Sequence, residues 1–333
     1  MLKIIKASDH IAVENIIGCI YGNPGTRKTS FAQTAEAPLL LDFDNGSHRA
    51  QIRKDTVRVA TWGDVEAITA EEIKPFKTII IDTIGRALDA MSTSIIAKDP
   101  KMSAGGGQLS LKGYGRLKSD FAAWLKFLRT FGADVIMVAH SDEKQEGENI
   151  IERIDAQGAS KNEVYKQSDF MGRLVIREGK NLFLMSPSDT SFGKNPAQMP
   201  PIQVPAVLDQ TTTTLGDVIH DIKKHMNRMS QEQAETSTEL LAWKTRVDAA
   251  TSGAKLTALI PETDALDERI KLNAKRYLNS FAKDHGFVYD GVKKTFVELG
   301  GQAKPEPAAD EFEEAVPAEP GTEKPKGRKE GGK

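Results

Sequence analysis

The sequence predicts an α/β fold with a mostly parallel sheet, a helical C-terminal region and a charged tail. Three observations predict it. Short apolar runs of strand length recur and alternate with segments of helical period. Two later runs, residues 173–177 and 181–186, flank Glu178-Gly179-Lys180 and read as a hairpin, which gives the sheet an antiparallel edge. From about Thr214 the pattern turns helical and polar, and beyond Gly301 apolar residues almost vanish. The expected divisions are a sheet domain over 1–210, a helical region over 211–300 and a disordered tail over 301–333.

Taken in order, residues 1–8 suit a short edge strand. The run Ile16-Ile17-Gly18-Cys19-Ile20-Tyr21 suits a buried strand, with a helix over 28–35 after it. Pro38 punctuates, and Leu39-Leu40-Leu41-Asp42-Phe43 makes the next strand, ending in Asp44-Asn45-Gly46. Alternation marks 56–62 as a strand, and 64–73 reads as a helix. Thr78-Ile79-Ile80-Ile81-Asp82 is a buried parallel strand with a carboxylate at its end. A helix over 85–97 follows. Residues 98–115, with three consecutive glycines, read as a mobile loop. Leu117, Phe121, Trp124, Leu125, Leu128 and Phe131 recur at helical spacing and belong to the core. Residues 134–140 are again a buried strand. Residues 141–162 are polar and suit a loop or an exposed hairpin. Helices are expected over 215–229, 232–250 and 264–284, separated by Gly253 and Pro261. The tail carries an acidic cluster at 310–314 and a basic tip at 324–329.

Composition narrows the classes. At 333 residues and a net charge of −2, the chain is no uniformly basic nucleic-acid binder, so such binding needs a local patch. The single cysteine, Cys19, cannot pair internally, which fits a reducing compartment and a packing role. The first residues turn polar too soon for a signal peptide, and no apolar run is long enough for a membrane span. The expectation is a soluble cytoplasmic protein without membrane contact.

The stretch most charged with chemistry is Gly22, Asn23, Pro24, Gly25, Thr26, Arg27, Lys28, Thr29 and Ser30. Strand, glycine turn, then a helix opening at Lys-Thr is the pattern of a phosphate-binding loop. Successive backbone N–H groups make a concave anion site, and the helix N-terminus adds positive potential. Lys28 would reach the β- and γ-phosphates of a nucleotide, and the Thr29 hydroxyl would sit on Mg²⁺. Glycine is the expected residue before the lysine because it has no Cβ, and here Arg27 stands there. Arg27 is either tolerated with its side chain turned outward or weakens nucleotide binding. Three further residues end parallel strands on the edge where open α/β sheets bind ligands: Asp44, Asp82 and His140. Asp82 suits Mg²⁺ beside the Thr29 hydroxyl. Each also has an ordinary alternative, a helix cap for Asp44 and a structural role for His140.

The order Gly-x-x-x-x-x-Lys-Thr, Leu-Leu-Leu-Asp-Phe-Asp, Thr-Ile-Ile-Ile-Asp-Thr and Val-Ile-Met-Val-Ala-His resembles the RecA-like P-loop ATPases. More narrowly, it resembles the phage-encoded kind that assists single-strand annealing and recombination. The likeness spans roughly residues 10–205. It implies a Mg²⁺-dependent ATPase in which Lys28 and Thr29 hold phosphate and metal, and Asp82 is the second-motif aspartate. Asp44 falls where the family places the carboxylate that polarises the attacking water, one methylene shorter here than the usual glutamate. His140 falls at the polar sensor. Lys194, in Phe192-Gly193-Lys194-Asn195, resembles the lysine that a neighbouring subunit inserts toward the γ-phosphate, or is an ordinary turn lysine.

The implied partners are single-stranded DNA, further copies of the chain in a ring or filament, and a single-strand-binding protein. Two polar loops are the DNA candidates. The first, residues 98–118, offers Lys101, Lys112, Tyr114, Arg116 and Lys118, cations for phosphates and an aromatic ring for a base. The second, 141–162, is heavily acidic and less suited. Two readings stand together: an ATPase that binds single strands and promotes annealing or strand exchange, or a nucleotide-gated scaffold or loader with little turnover.

Overall fold

The structure is a computed structural model that describes residue 2, residues 4–146 and residues 149–299. The expected disordered tail with its acidic and basic clusters, and Glu148 of the second loop, lie outside the described residues. The chain divides into two compact units, Met1–Thr238 and Glu239–Lys333.

In chain order the first unit contains β1 (Ile17–Gly22), α1 (Lys28–Ala32), β2 (Pro38–Asp42), β3 (Asp55–Arg58), α2 (Gly63–Glu66), α3 (Ala70–Ile73), β4 (Thr78–Asp82) and α4 (Ile84–Lys98). There follow β5 (Ser103–Gly105), β6 (Gln108–Leu109), α5 (Leu111–Arg129), β7 (Asp134–Glu146), β8 (Asn149–Ile154) and α6 (Ser160–Gln167). Then come β9 (Phe170–Arg177), β10 (Lys180–Leu184), β11 (Ile202–Val204) and the start of the long α7 (Thr214–Asp248), which runs past the division at Thr238.

The main sheet runs β11-β10-β9-β1-β7-β4-β2-β3, with β8 pairing β7. β9, β1, β7, β4, β2 and β3 are mutually parallel, and β10 and β11 add the antiparallel edge. This is the mostly parallel sheet and late hairpin that the sequence predicts. Strand alternation divides the core in two. Cys19, Leu41, Ile79, Ile81 and Met137 face α4 and α5, while Ile20, Leu40, Ile80 and Val138 face α1 and the first turns of α7. A sheet covered on both faces explains why its strands read as unbroken apolar runs.

Several elements differ from the sequence expectation. Residues 4–8 form no strand; the segment just after them is instead strapped to α7, where Asn227 bonds the Val13 N–H and carbonyl. The helix expected over 64–73 is two short helices, because Thr69 and Glu72 form a capping box that starts α3 afresh. The expected mobile loop 98–115 is ordered: Pro100–Met102 makes a 3₁₀ turn, β5 and β6 a small hairpin, and α5 starts at Leu111 with Ser110 as its cap. Gly113 lies inside that helix because a Cβ there would come within 2.5 Å of the Met102 carbonyl oxygen.

In the second unit α7 ends, and α8 (Gly253–Ala265), α9 (Glu268–Asp284), β12 (Phe287–Asp290) and β13 (Thr295–Glu298) follow. Trp243, Leu256, Leu259, Leu278 and Phe296 form its core, and the Trp243 indole N–H donates to Thr263 Oγ1 at 3.1 Å. The helices expected over 215–229 and 232–250 are one continuous α7. Pro261 lies within α8 rather than between helices, costing one backbone bond while Leu259 and Thr263 stay buried.

Candidate active site

β1 ends at Gly22, where a Cβ would come within 2.5 Å of the Leu174 carbonyl oxygen, so the turn toward α1 needs glycine. The loop closes on itself through Thr26, whose hydroxyl donates to the Asn23 carbonyl at 2.9 Å. Arg27 then adopts the left-handed conformation, φ 66° and ψ 30°, which costs a residue with a Cβ of the order of 1 kcal/mol. Its guanidinium turns outward and donates to the carbonyls of Ala206, at 2.6 Å, and Pro205, at 3.4 Å. Of the two outcomes open in the sequence, the side chain takes the outward one.

The Lys28 ammonium is buried and donates to the carbonyls of Gly22 and Asn23, at 2.9 and 3.0 Å. Burial lowers its pKa to about 8, against the opposing pull of Asp82 and Asp44. The Thr29 hydroxyl donates to Asp82 Oδ2 at 2.5 Å, across 53 residues of chain. Burial raises the Asp82 pKa to about 6; the Thr29 bond and Lys28 lower it, and Asp42 and Asp44 add to the rise. Ser30 accepts from the Gln51 N–H at 3.0 Å. At five residues α1 is short, so attraction for phosphate falls to the loop N–H groups and Lys28 more than to a helix dipole.

The parallel register sets the other three strand ends beside the loop. Gly22 lies opposite His140 and Asp82 opposite Asp42. His140 is half-buried, its Nδ1 has no partner among the described residues, and burial lowers its pKa, with Lys28 adding to the effect. Asp42 is structural: its carboxylate accepts from the N–H groups of Gly46 and Ser47, at 3.0 and 2.9 Å. That bond pair folds the chain after β2 back toward the loop. Asp44 follows, with Arg49 at 3.3 Å from Oδ2 and Arg86 at 3.6 Å from Oδ1.

These residues surround one cavity of about 490 Å³, lined by Pro24, Gly25, Arg27, Lys28, Thr29 and Ser30 on one side and by Asp44, Arg49, Asp82 and His140 on the other. The size suits a small-molecule ligand. The hard oxygen pair of Thr29 and Asp82 suits Mg²⁺, and the buried Lys28 ammonium suits phosphate. Gly22, Asn23 and Thr26 shape the loop without lining the cavity.

The remaining candidates lie elsewhere. The Lys194 ammonium donates to the Ser168 carbonyl at 2.7 Å, and its backbone pairs with Met171, so within one chain it does not line the cavity. Of the DNA candidates, Lys101 lies in the 3₁₀ turn and the other four on α5, which corrects the reading of 98–118 as a loop. Lys112 and Arg116 share one face, while Tyr114 and Lys118 lie about 200° round the helix. Arg116 is held by both Asp120 oxygens, at 2.8 and 2.7 Å, and Lys118 by Glu163 at 3.5 Å. Tyr114 is 38% exposed and lies against Gly158. In the second loop, residues 141–146 and 149–154 form the β7–β8 hairpin.

Sequence reasoning missed Arg49 and Arg86. Their positions in the chain carry no motif; only the Asp42-anchored turn and the first turn of α4 bring them to Asp44.

The AAA domain family matches residues 14–197, more than half of the chain. Among solved structures, a KaiC-like protein from the hyperthermophilic archaeon Pyrococcus horikoshii is similar at 13% identity and a TM-score of 0.33, over 58% of this chain and 91% of that one, a likeness too distant to bear on activity. No curated protein matches. Among the described residues, no helix is long and apolar enough to cross a membrane. The loop-to-strand-edge cavity and the extent of the match lead to one conclusion: the chain belongs to the AAA domain family and carries a P-loop ATPase fold.

Proposed function

We propose that the chain hydrolyses ATP with Mg²⁺ in the cavity between the loop of residues 22–29 and the ends of β2, β4 and β7. The observation that carries this reading is the convergence of Lys28, Thr29, Asp82 and Asp44 on one cavity from three separate strand ends. Lys28 exchanges its two carbonyl partners for phosphate oxygens, a favourable trade for a desolvated ammonium. Thr29 and Asp82 would hold Mg²⁺, which when bound would supply positive charge against the phosphates. Asp44 orients the water that attacks the γ-phosphorus. The outward turn of Arg27 supports turnover over a site blocked by its side chain.

The same reading extends to single-stranded DNA as the effector and to an oligomer that promotes annealing or strand exchange. The support is the resemblance of the motif order, together with exposed Lys101 and Lys112 and the part-exposed Tyr114 around the start of α5. Lys194 serves a neighbouring copy in this scheme, exchanging the Ser168 carbonyl for phosphate. ATP hydrolysis measured with and without single-stranded DNA, beside Lys28→Ala, tests the proposal. Turnover that DNA stimulates and Lys28→Ala abolishes is the expected result. Lys28-dependent hydrolysis indifferent to DNA, with no strand binding at low salt, removes the DNA part and leaves the ATPase. Nucleotide binding without hydrolysis favours the scaffold.

A further inference from the structure

Asp44 has both carboxylate oxygens engaged by guanidinium groups, and the two arginines, similarly exposed, differ in how many carboxylates hold them. Arg86 also reaches Asp89 at 3.2 Å, and Asp89 in turn accepts from Gln157. Arg86, 63% exposed, therefore has two carboxylate partners, and it lines a second cavity of about 250 Å³ that shares Asp44, Thr83 and His140 with the first. Arg49 has Asp44 as its one ion-pair partner among the described residues, at a side-chain exposure of 66%. An exposed pair of this kind contributes about 0–1 kcal/mol, so it exchanges readily for a better anion. Arg49 also lines the same cavity as Lys28 and Thr29. Room for its guanidinium comes from Gly46, where a Cβ would approach Arg49 Nη2 to 2.6 Å. The turn that carries Arg49 is pinned by the buried Asp42 carboxylate, so the base of the side chain is fixed while its tip is free to swing.

A triphosphate entering the cavity brings more negative charge than Lys28 and Mg²⁺ together offset. On the ATPase reading above, we propose that Arg49 is a charge-neutralising residue supplied by the same chain. Its guanidinium leaves Asp44 for the terminal phosphate, and Asp44, still oriented by Arg86, is released to the attacking water. In the step, the water oxygen forms a bond to the γ-phosphorus and its proton passes to the Asp44 carboxylate. The bond from the γ-phosphorus to the β–γ bridging oxygen breaks, with its electron pair leaving on ADP; the proton is then lost to solvent. Arg49 offsets the charge that builds on the γ-phosphoryl oxygens and on the bridging oxygen. Arg86 is a positioning residue and does not touch the nucleotide. Arg49 thus couples the arrival of phosphate to the release of the carboxylate, so the water-orienting group is held by a cation until substrate arrives.

Arg49→Ala and Arg49→Lys in the full chain test this, with ATP turnover and the affinities for Mg²⁺–ADP and for Mg²⁺–ADP with aluminium fluoride, which mimics the transferring phosphoryl group. The expected result for Arg49→Ala is a fall in kcat of about 100-fold or more. Affinity for Mg²⁺–ADP stays within about 3-fold, the preference for the aluminium fluoride complex is lost, and the melting temperature is unchanged. Arg49→Lys restores part of the turnover. Wild-type rates in Arg49→Ala, or equal losses for ADP and its aluminium fluoride complex, overturn the role of Arg49 while leaving the ATPase intact. A wild-type protein without Lys28-dependent hydrolysis overturns both.

Discussion

The two ends of the parallel sheet treat buried carboxylates in opposite ways. At the end where the strands begin, Asp134 accepts from the Ile16 N–H at 2.8 Å and from Lys223 at 2.7 Å. Nearby, Asp169 accepts from the Ile17 N–H at 2.8 Å and pairs with Arg129 at 3.5 Å. At the end where the strands finish, Asp82 takes one side-chain hydrogen bond, from Thr29, and lies close to two further carboxylates. Burial raises the pKa of both Asp134 and Asp82. At Asp134 a lysine on another element bonds the carboxylate directly, whereas Lys28, whose charge favours the ionised Asp82, spends its hydrogen bonds on the Gly22 and Asn23 carbonyls. The strand-start end is satisfied by the protein itself and acts as scaffold. The strand-finish end leaves capacity for a cation and a phosphate, which is what a site for Mg²⁺–ATP requires.

The comparison breaks most visibly at Lys28 and Asp82. Lys28→Ala is expected to lower ATP turnover by about 1000-fold, because the positioned charge on the phosphates goes with it. Asp82→Asn is expected to lower Mg²⁺-dependent turnover by about 100-fold, yet to raise the stability of the metal-free protein by about 1 kcal/mol, since a buried carboxylate whose desolvation exceeds the help it gets from Thr29 and Lys28 disappears. Thermal melts in EDTA, beside turnover at saturating Mg²⁺, check both. An Asp82→Asn protein that melts lower would mean that Asp82 is structural, like Asp134.

At the other end the prediction has the opposite sign. Lys223→Met is expected to leave turnover within about 2-fold and to cost about 2–3 kcal/mol of stability at pH 7, because Asp134 stays buried without its cation. Lys223 and the Ile16 N–H favour the ionised Asp134, while burial and Glu36 oppose it. Removing Lys223 raises its folded-state pKa further above the unfolded value of about 4. A carboxyl raised in this way is penalised when ionised, so the deficit is full at neutral pH. It shrinks as pH falls through the folded pKa toward 4. Denaturant midpoints at pH 7 and pH 4.5 measure it; a deficit independent of pH would assign the loss to packing.

The difference between the two ends also explains what the sequence made legible. The strands were legible because burial on both faces leaves no polar alternation, as in Ile79-Ile80-Ile81. The meeting of Lys28, Thr29 and Asp82 was legible because the phosphate-loop pattern sets residues of fixed type at fixed places on a strand and its loop. Arg49 and Arg86 were not, because a turn anchored by Asp42 and the entry of α4 bring them together, and neither leaves a spacing rule. Glycine content misled at 98–115: Gly113 serves a close helix contact with Met102, not mobility. Lys112, Tyr114, Arg116 and Lys118 look like one basic patch in the sequence, but helical geometry divides them between two faces, and Asp120 and Glu163 already hold two of them. Arg116→Ala is accordingly expected to shift stability by less than about 1 kcal/mol, whereas Lys112→Ala should weaken any single-strand binding and its salt dependence more than Arg116→Ala does. Filter binding over a salt series ranks the two.

The smallest effect is expected at the residue that most departs from its motif. Arg27→Gly relieves a left-handed backbone, worth about 1 kcal/mol, and removes the guanidinium bonds to the Pro205 and Ala206 carbonyls, worth a similar amount for a partly exposed charged donor. The two contributions oppose, so stability should move by less than about 1 kcal/mol. Nucleotide affinity should change by less than about 5-fold, since the guanidinium that is lost is already engaged by the Pro205 and Ala206 carbonyls. Calorimetric binding of Mg²⁺–ADP to Arg27→Gly and Arg27→Ala separates the contributions: both variants lose the guanidinium, but only glycine loses the strain. Tighter binding in Arg27→Gly than in Arg27→Ala would trace the difference to backbone freedom in the loop. Equal weakening in both would show that the bond to the 205–206 segment helps hold the loop in its binding shape.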